Sequence, residues 1–171
     1  MRDQIVRALQ EALEDHVDTA LSKLEAANLC ESPIETAIAI VLLYNIRMSG
    51  LSCELVYQDN IDLYPKNIAL IVPQYRFEGY RIDFAFILAG KMLFIECDGH
   101  DFHERTKEQA ARDRKKDRSI QQAGIRILRF TGSEIYRDVT SCATQILDSF
   151  NTLPARAVTK DADNPAAGDA E

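Results

Sequence analysis

Two carboxylates, Asp83 and Glu96, sit in neighbouring runs in which apolar and polar residues alternate, Tyr80 to Leu88 and Met92 to Asp98. Alternation with a period of two is the pattern of β-strands, and the short gap predicts an antiparallel hairpin. With an even loop, Ala89-Gly90 or Leu88 to Lys91, both apolar sets bury on one side: Ile82, Phe84, Phe86 and Leu88 with Leu93, Ile95 and Cys97. Opposed residue numbers then sum to 179, which sets Asp83 against Glu96 and Arg81 against Asp98. Such side chains have Cβ atoms about 4.5–5.5 Å apart, and like charges there destabilise a sheet unless a cation lies between them. Hard oxygen donors suit Mg²⁺ or Mn²⁺, which polarise a phosphoryl group and acidify water. The chemistry such a site could do is metal-assisted attack of water on a phosphoryl group. The competing reading is a surface network in which the two carboxylates pair with Arg81 or with helical Lys and Arg.

Several elements must position this hairpin. Residues 2 to 27 carry Val6, Leu9, Leu13, Val17, Ala20 and Leu24 at helical spacing, an amphipathic helix that packs on the domain or offers a homodimer or protein-partner surface. Ser32-Pro33-Ile34-Glu35 predicts a helix start, with Ser32 as N-cap and Glu35 as its reciprocal partner, running to Gly50. Leu51 to Asn67 reads as a loop between short extended pieces. An extended stretch Gln74 to Phe77 and the turn Glu78-Gly79 follow Pro73. A charged helix, Arg105 to Ala123, leads through Gly124 to a strand, Ile125 to Phe130, and a helix capped by Ser133 that runs to about Phe150.

The chain's net charge of −7 argues against a polyanionic partner until its distribution is considered. Between Asp101 and Arg137 stand ten Lys/Arg and six Asp/Glu, a local +4 that leaves −11 for the rest. Such a run fits either a solvated helix face or a nucleic-acid footprint. The N-terminus MRDQIVRALQ has no secretory pattern, and the longest apolar run, Ala37 to Leu43, is far short of the roughly 20 residues that span a bilayer. Four scattered cysteines suit reduced thiols, so a cytoplasmic protein without a membrane partner is expected.

The ordered series Glu35, Arg81-Ile82-Asp83-Phe84, Phe94-Ile95-Glu96-Cys97-Asp98-Gly99-His100, Arg112-Asp113-Arg114-Lys115-Lys116-Asp117-Arg118 and Ile127-Leu128-Arg129-Phe130 resembles the PD-(D/E)XK nuclease superfamily. It is most similar to a bacterial domain-of-unknown-function branch related to very-short-patch-repair endonucleases, over residues 30 to 150. The resemblance implies an α/β fold, a restriction-endonuclease-like mixed central sheet flanked by helices. An N-terminal helical extension (1–29) and a disordered acidic tail (151–171) would flank that domain. It implies a Mg²⁺- or Mn²⁺-dependent endonuclease acting on duplex DNA.

By the same resemblance Asp83 and Glu96 are the two metal carboxylates, Glu35 is an acidic residue supplied by the preceding helix, and Gln74 stands where relatives carry an active-site Gln. Each has a plainer reading: a capping glutamate for Glu35, a solvated loop amide for Gln74. Asp98 departs from the pattern, which has Lys there, and would bind metal or pair with Arg81. His103, with His100 as competitor, is the expected proton-transfer group, because imidazole titrates near neutral pH. Asp117 or Asp113 would orient it. Cys97 would give the metal only its backbone carbonyl, and Lys116, Arg112 or Arg129 would neutralise or anchor phosphate. A zinc site at Cys97, His100 and His103 is disfavoured because Cys97 faces the core and no fourth ligand is evident. Asp98 in the Lys place also supports a second reading, a catalytically inactive nucleic-acid-binding or regulatory module. The third is a structural partner domain that docks through the N-terminal helix.

Overall fold

Ser32 starts the first ordered helix as the sequence predicts: its backbone is extended, and the hydroxyl accepts from the Glu35 N–H. The helix, α1 (Pro33–Met48), has Pro at its first position, where a missing N–H costs nothing. The reciprocal bond differs from a capping box. The Glu35 carboxylate accepts from the Ser32 hydroxyl (2.6 Å) and from the Glu31 N–H (3.0 Å), one residue upstream of the expected donor.

The computed structural model describes residues 29–99 and 107–154. The predicted N-terminal helix, His100, His103 and the tail beyond 154 lie outside the described residues. After α1 come β1 (Cys53–Leu55), a 3-10 helix (Gln58–Leu63), β2 (Ala69–Phe77), β3 (Tyr80–Leu88), β4 (Lys91–Asp98), α2 (Lys107–Gln122), β5 (Arg126–Thr131) and α3 (Gly132–Asn151). The strands form one mixed sheet in the order β1-β2-β3-β4-β5, with β1/β2 and β4/β5 parallel and the two inner pairings antiparallel. This is the α/β architecture expected, a mixed sheet flanked by helices.

Both faces of the sheet are covered because both are apolar. On one face Ile38, Leu42, Phe84, Phe86, Leu93 and Ile95 bury against Ile146 and Phe150, so α1 and α3 lie there. On the other, Val72, Tyr75, Phe77, Ala85 and Phe94 bury with Ile120 of α2. The sequence reading gave the hairpin a single apolar face, but Ile82 belongs to the second core rather than with Phe84 and Phe86.

The cause is a reversal of side-chain alternation across Gln74 and Asp83. In β2, Leu70 and Val72 face the second core, and beyond Gln74 so do Tyr75 and Phe77, an odd-numbered pair. In β3 the same switch falls between Ile82 and Ala85. Register is unchanged across it, with Pro73 opposite Phe84 and Tyr75 opposite Ile82, so no residue is inserted. Gln74 adopts φ 51°, a left-handed conformation that costs a non-glycine residue about 1–2 kcal/mol. Strand β2 therefore begins at Ala69, earlier than expected, and contains Pro73. That proline lies past the last β1 partner, Ile71, so its missing N–H interrupts no pairing on that side.

At the other end, Ala89 and Gly90 form the two-residue turn of the β3/β4 hairpin, both at positive φ (52° and 75°), as tight hairpins require. The last helix is capped by Thr131 rather than Ser133: its hydroxyl accepts from the Glu134 N–H while Glu134 accepts from the Thr131 N–H. Asp138 breaks the helical backbone (φ −161°, ψ 80°) and caps the continuation by accepting from the Ser141 N–H at 2.9 Å. No helix among the described residues is long and apolar enough to cross a membrane.

Candidate active site

The pairs Phe84/Ile95, Ala85/Phe94, Phe86/Leu93, Ile87/Met92 and Leu88/Lys91 reproduce the expected hairpin register. Pairing stops at Phe84/Ile95, one step before Asp83 and Glu96. The two carboxylates therefore stand at the open end of the hairpin, where the reversal at Asp83 turns its side chain along the sheet. Asp83 Oδ2 accepts from the Cys97 N–H at 2.7 Å, and Glu96 reaches across to α2 and β5. Arg81 and Asp98, also expected to oppose each other, part here: Arg81 donates to Glu31 Oε1 at 2.6 Å, and Asp98 lies 3.9 Å from Arg129.

Glu35 and Glu96 are the buried charged residues of the described chain, 6% and 7% exposed. Glu35 arrives from the α1 face. Its Oε2 accepts from Gln74 Nε2 at 2.8 Å, so Gln74 is a strand residue tied to this carboxylate and not a loop amide. Gln74 Oε1 is buried and has no hydrogen-bond partner among the described residues. Glu96 arrives from the α2 face, held by Lys116 Nζ on Oε1 and by Arg129 Nη1 at 3.4 Å on Oε2. Lys116 Nζ also donates to the Arg81 carbonyl at 2.7 Å.

Asp83 lies between these groups. Burial pushes its carboxyl up to about 7; Glu96 and Glu35 add to that, while the Cys97 N–H and Lys116 oppose it. A carboxyl raised mainly by burial, with two neighbouring carboxylates adding to the shift, is the kind of perturbed group that clusters at functional sites. Arg129 shows the converse. Burial works against its charge, but Glu96 and the hydrogen bond to Asp117 (Nη2, 2.6 Å) outweigh that and hold the guanidinium above its usual range. Asp117 is thus engaged by Arg129; the histidine that Asp117 or Asp113 is expected to orient lies outside the described residues.

Three acidic side chains from three elements, Asp83, Glu96 and Glu35, converge on one end of the sheet, with Gln74 and Lys116 beside them. No group of three His, Cys, Asp or Glu among the described residues is placed to enclose a metal ion by itself. The donor set fits a hard cation held more openly, by one or two carboxylates plus backbone, water and substrate oxygens, as Mg²⁺ prefers. The raised Asp83 carboxyl and the unpartnered Gln74 oxygen support that fit.

Asp83, Glu96, Glu35 and Gln74, all singled out in the sequence, lie near one another in the fold, whereas Lys116 was one of three interchangeable cations there. A signal was present. In the helix Lys107–Gln122 the one bulky apolar residue is Ile120, and Lys116, one turn earlier, must share its inward side. Arg112 lies one further turn back on that side and is exposed.

The family model REase_MTES_1575, of restriction-endonuclease-like domains, matches residues 63–150, just over half of the chain. No curated protein and no solved structure matches.

Proposed function

The chain belongs to the restriction-endonuclease-like family REase_MTES_1575, and from that premise we propose that it is a metal-dependent endonuclease hydrolysing phosphodiester bonds in duplex DNA. We read it as a cytoplasmic enzyme of the PD-(D/E)XK kind, on the branch related to very-short-patch-repair endonucleases. The observation that carries the proposal is the meeting of Asp83, Glu96 and Glu35 at the open end of the β3/β4 hairpin, with the Asp83 carboxyl pushed up to about 7. Such a centre is completed by a divalent cation.

Asp83, Glu96 and the Cys97 backbone carbonyl would hold that cation. When bound, Mg²⁺ or Mn²⁺ supplies Lewis-acid polarisation of the phosphoryl group and a more acidic nucleophilic water. Glu35, fixed by Ser32, Glu31 and Gln74, would hold the attacking water by a carboxylate oxygen. The Gln74 oxygen offers a second acceptor beside it. His103, or His100, would take the proton. Arg129 keeps Glu96, Asp98 and Asp117 in place, while Arg112, exposed one turn beyond Lys116, suits an anchor for a flanking phosphate.

The test is incubation of the full chain with supercoiled plasmid, linear duplex and single-stranded DNA, with Mg²⁺, Mn²⁺ or chelator, beside Asp83→Ala and Glu96→Ala. Metal-dependent scission of duplex that both substitutions abolish is expected. Binding without scission under every condition would favour the inactive nucleic-acid-binding module instead.

A further inference from the structure

We infer that Lys116 is the cation this site turns on the phosphoryl group undergoing attack, delivered by helix α2 rather than by the strand that carries Glu96. The inference rests on the nuclease reading above and narrows it to one residue. A phosphodiester adds negative charge to a centre already rich in carboxylates, and its transition state concentrates more, so a fixed cation there is worth about 10²–10³ in rate. Among the described residues the other cations near the centre are poorly placed to serve: Arg81 is paired with Glu31. Arg129 donates to Glu96 and Asp117 and lies 3.9 Å from Asp98, so three carboxylates already offset its charge. Arg112 is exposed and a helical turn away.

Lys116 differs on each count. Its side chain is 13% exposed, so little water screens it. Two of its three donors are spent on Glu96 Oε1 and the Arg81 carbonyl, which leaves one uncommitted among the described residues. It lies close enough to Asp83 to oppose the rise of that carboxyl. The height of α2 over the sheet is fixed beside it by Ile120 in the core and by the Ser119 hydroxyl, which donates to Glu78 at the β2/β3 turn. The ammonium is thus held by the Glu96 carboxylate and the Arg81 carbonyl, within electrostatic reach of Asp83, with a donor left for substrate.

A divalent ion held by Glu96 would compete with Lys116 for that carboxylate, which separates this role from a merely structural one. In Lys116→Met, kcat on duplex DNA should fall about a hundredfold with KM held within about threefold. Mn²⁺ affinity, read by calorimetry without DNA, should rise several-fold because Glu96 Oε1 is no longer shared. Lys116→Arg should retain part of the rate. If the Met variant fails to fold, Lys116→Gln, which keeps a donor to Glu96 and the Arg81 carbonyl without the charge, carries the same measurements.

Cleavage by Lys116→Met within about threefold of the parent overturns the inference. So does a loss confined to KM, which would make Lys116 a backbone anchor, and so does weakened Mn²⁺ binding, which would make it a tie that shapes Glu96. A parent chain that neither binds Mn²⁺ nor cuts overturns the nuclease reading itself. A parent that cuts no faster than the Met variant overturns only the role of Lys116.

Discussion

Replacing Asp83 with Asn leaves the Cys97 N–H an acceptor but removes a charge that burial, Glu96 and Glu35 all disfavour. In the folded chain this carboxyl titrates near about 7, against an ordinary 3.8. Between those values the folded state binds the proton and the unfolded chain does not, so stability falls as pH rises from about 4 to about 7, and the full penalty applies above that. Three pK units correspond to about 4 kcal/mol. Asp83 stands at the end of a hairpin, where some water reaches it, and about 2 kcal/mol is the expected effect. At pH 8 in chelator, Asp83→Asn should be more stable than the parent by that amount, a melting shift of roughly 4–8 °C for a chain of this size. Near pH 4 the difference should vanish. Mg²⁺ should raise the melting temperature of the parent at pH 8 and leave the variant nearly unmoved, since only a state that binds the ion gains from it. Thermal unfolding by circular dichroism at about pH 4, 6 and 8, with and without Mg²⁺, reads all three. A parent as stable as the Asn variant at pH 8 in chelator refutes the electrostatic account of the site.

Three further outcomes are expected. Gln74→Gly should hold or gain about 1 kcal/mol in urea denaturation, because glycine adopts φ 51° freely and the unpartnered oxygen is gone, yet it should lower the cleavage rate because Glu35 loses its amide donor. Arg112→Ala should weaken duplex binding and make the slope of log affinity against log salt shallower by about 1, measured by titration at several salt concentrations. Phe86→Ala, which removes a ring 4.3 Å from that of Phe150 in the main core, should cost about 3–5 kcal/mol by chemical denaturation.

The hairpin register was legible because parity leaves few choices: pairing both apolar sets fixed the numbering, and Ala89-Gly90 is a turn that Gly favours. That register set Asp83 opposite Glu96, but pairing ends one step earlier, at Phe84/Ile95, and Asp83 accepts from the Cys97 N–H. The reversal at Gln74 and Asp83 was not legible, since a single residue at positive φ leaves no trace in an alternating pattern, and it sent Ile82 to the other core. Pro73 hid the start of β2, because a proline inside an apolar run argues against a strand unless one flank is known to be unpaired. Thr131 could have been found. Thr131-Gly132-Ser133-Glu134 carries the capping-box spacing, with Thr131 three residues before Glu134, and Ser133 does not. The partners of Arg81 and Arg129 lay beyond sequence reasoning, because which carboxylate a long cation meets depends on how diverging strands and a crossing helix are set in space.

Helix α2 is fastened to the rest of the molecule unevenly. Of its own residues Ile120 enters the core, and much of its remaining hold comes from Lys116 and Ser119 gripping acidic groups on the sheet. Assembling this charged cluster and seating the helix are therefore one thermodynamic event. Amide protons of α2 should exchange sooner than those of β3 and β4, and a sequence change that loosens α2 should silence the enzyme well before the remaining scaffold melts.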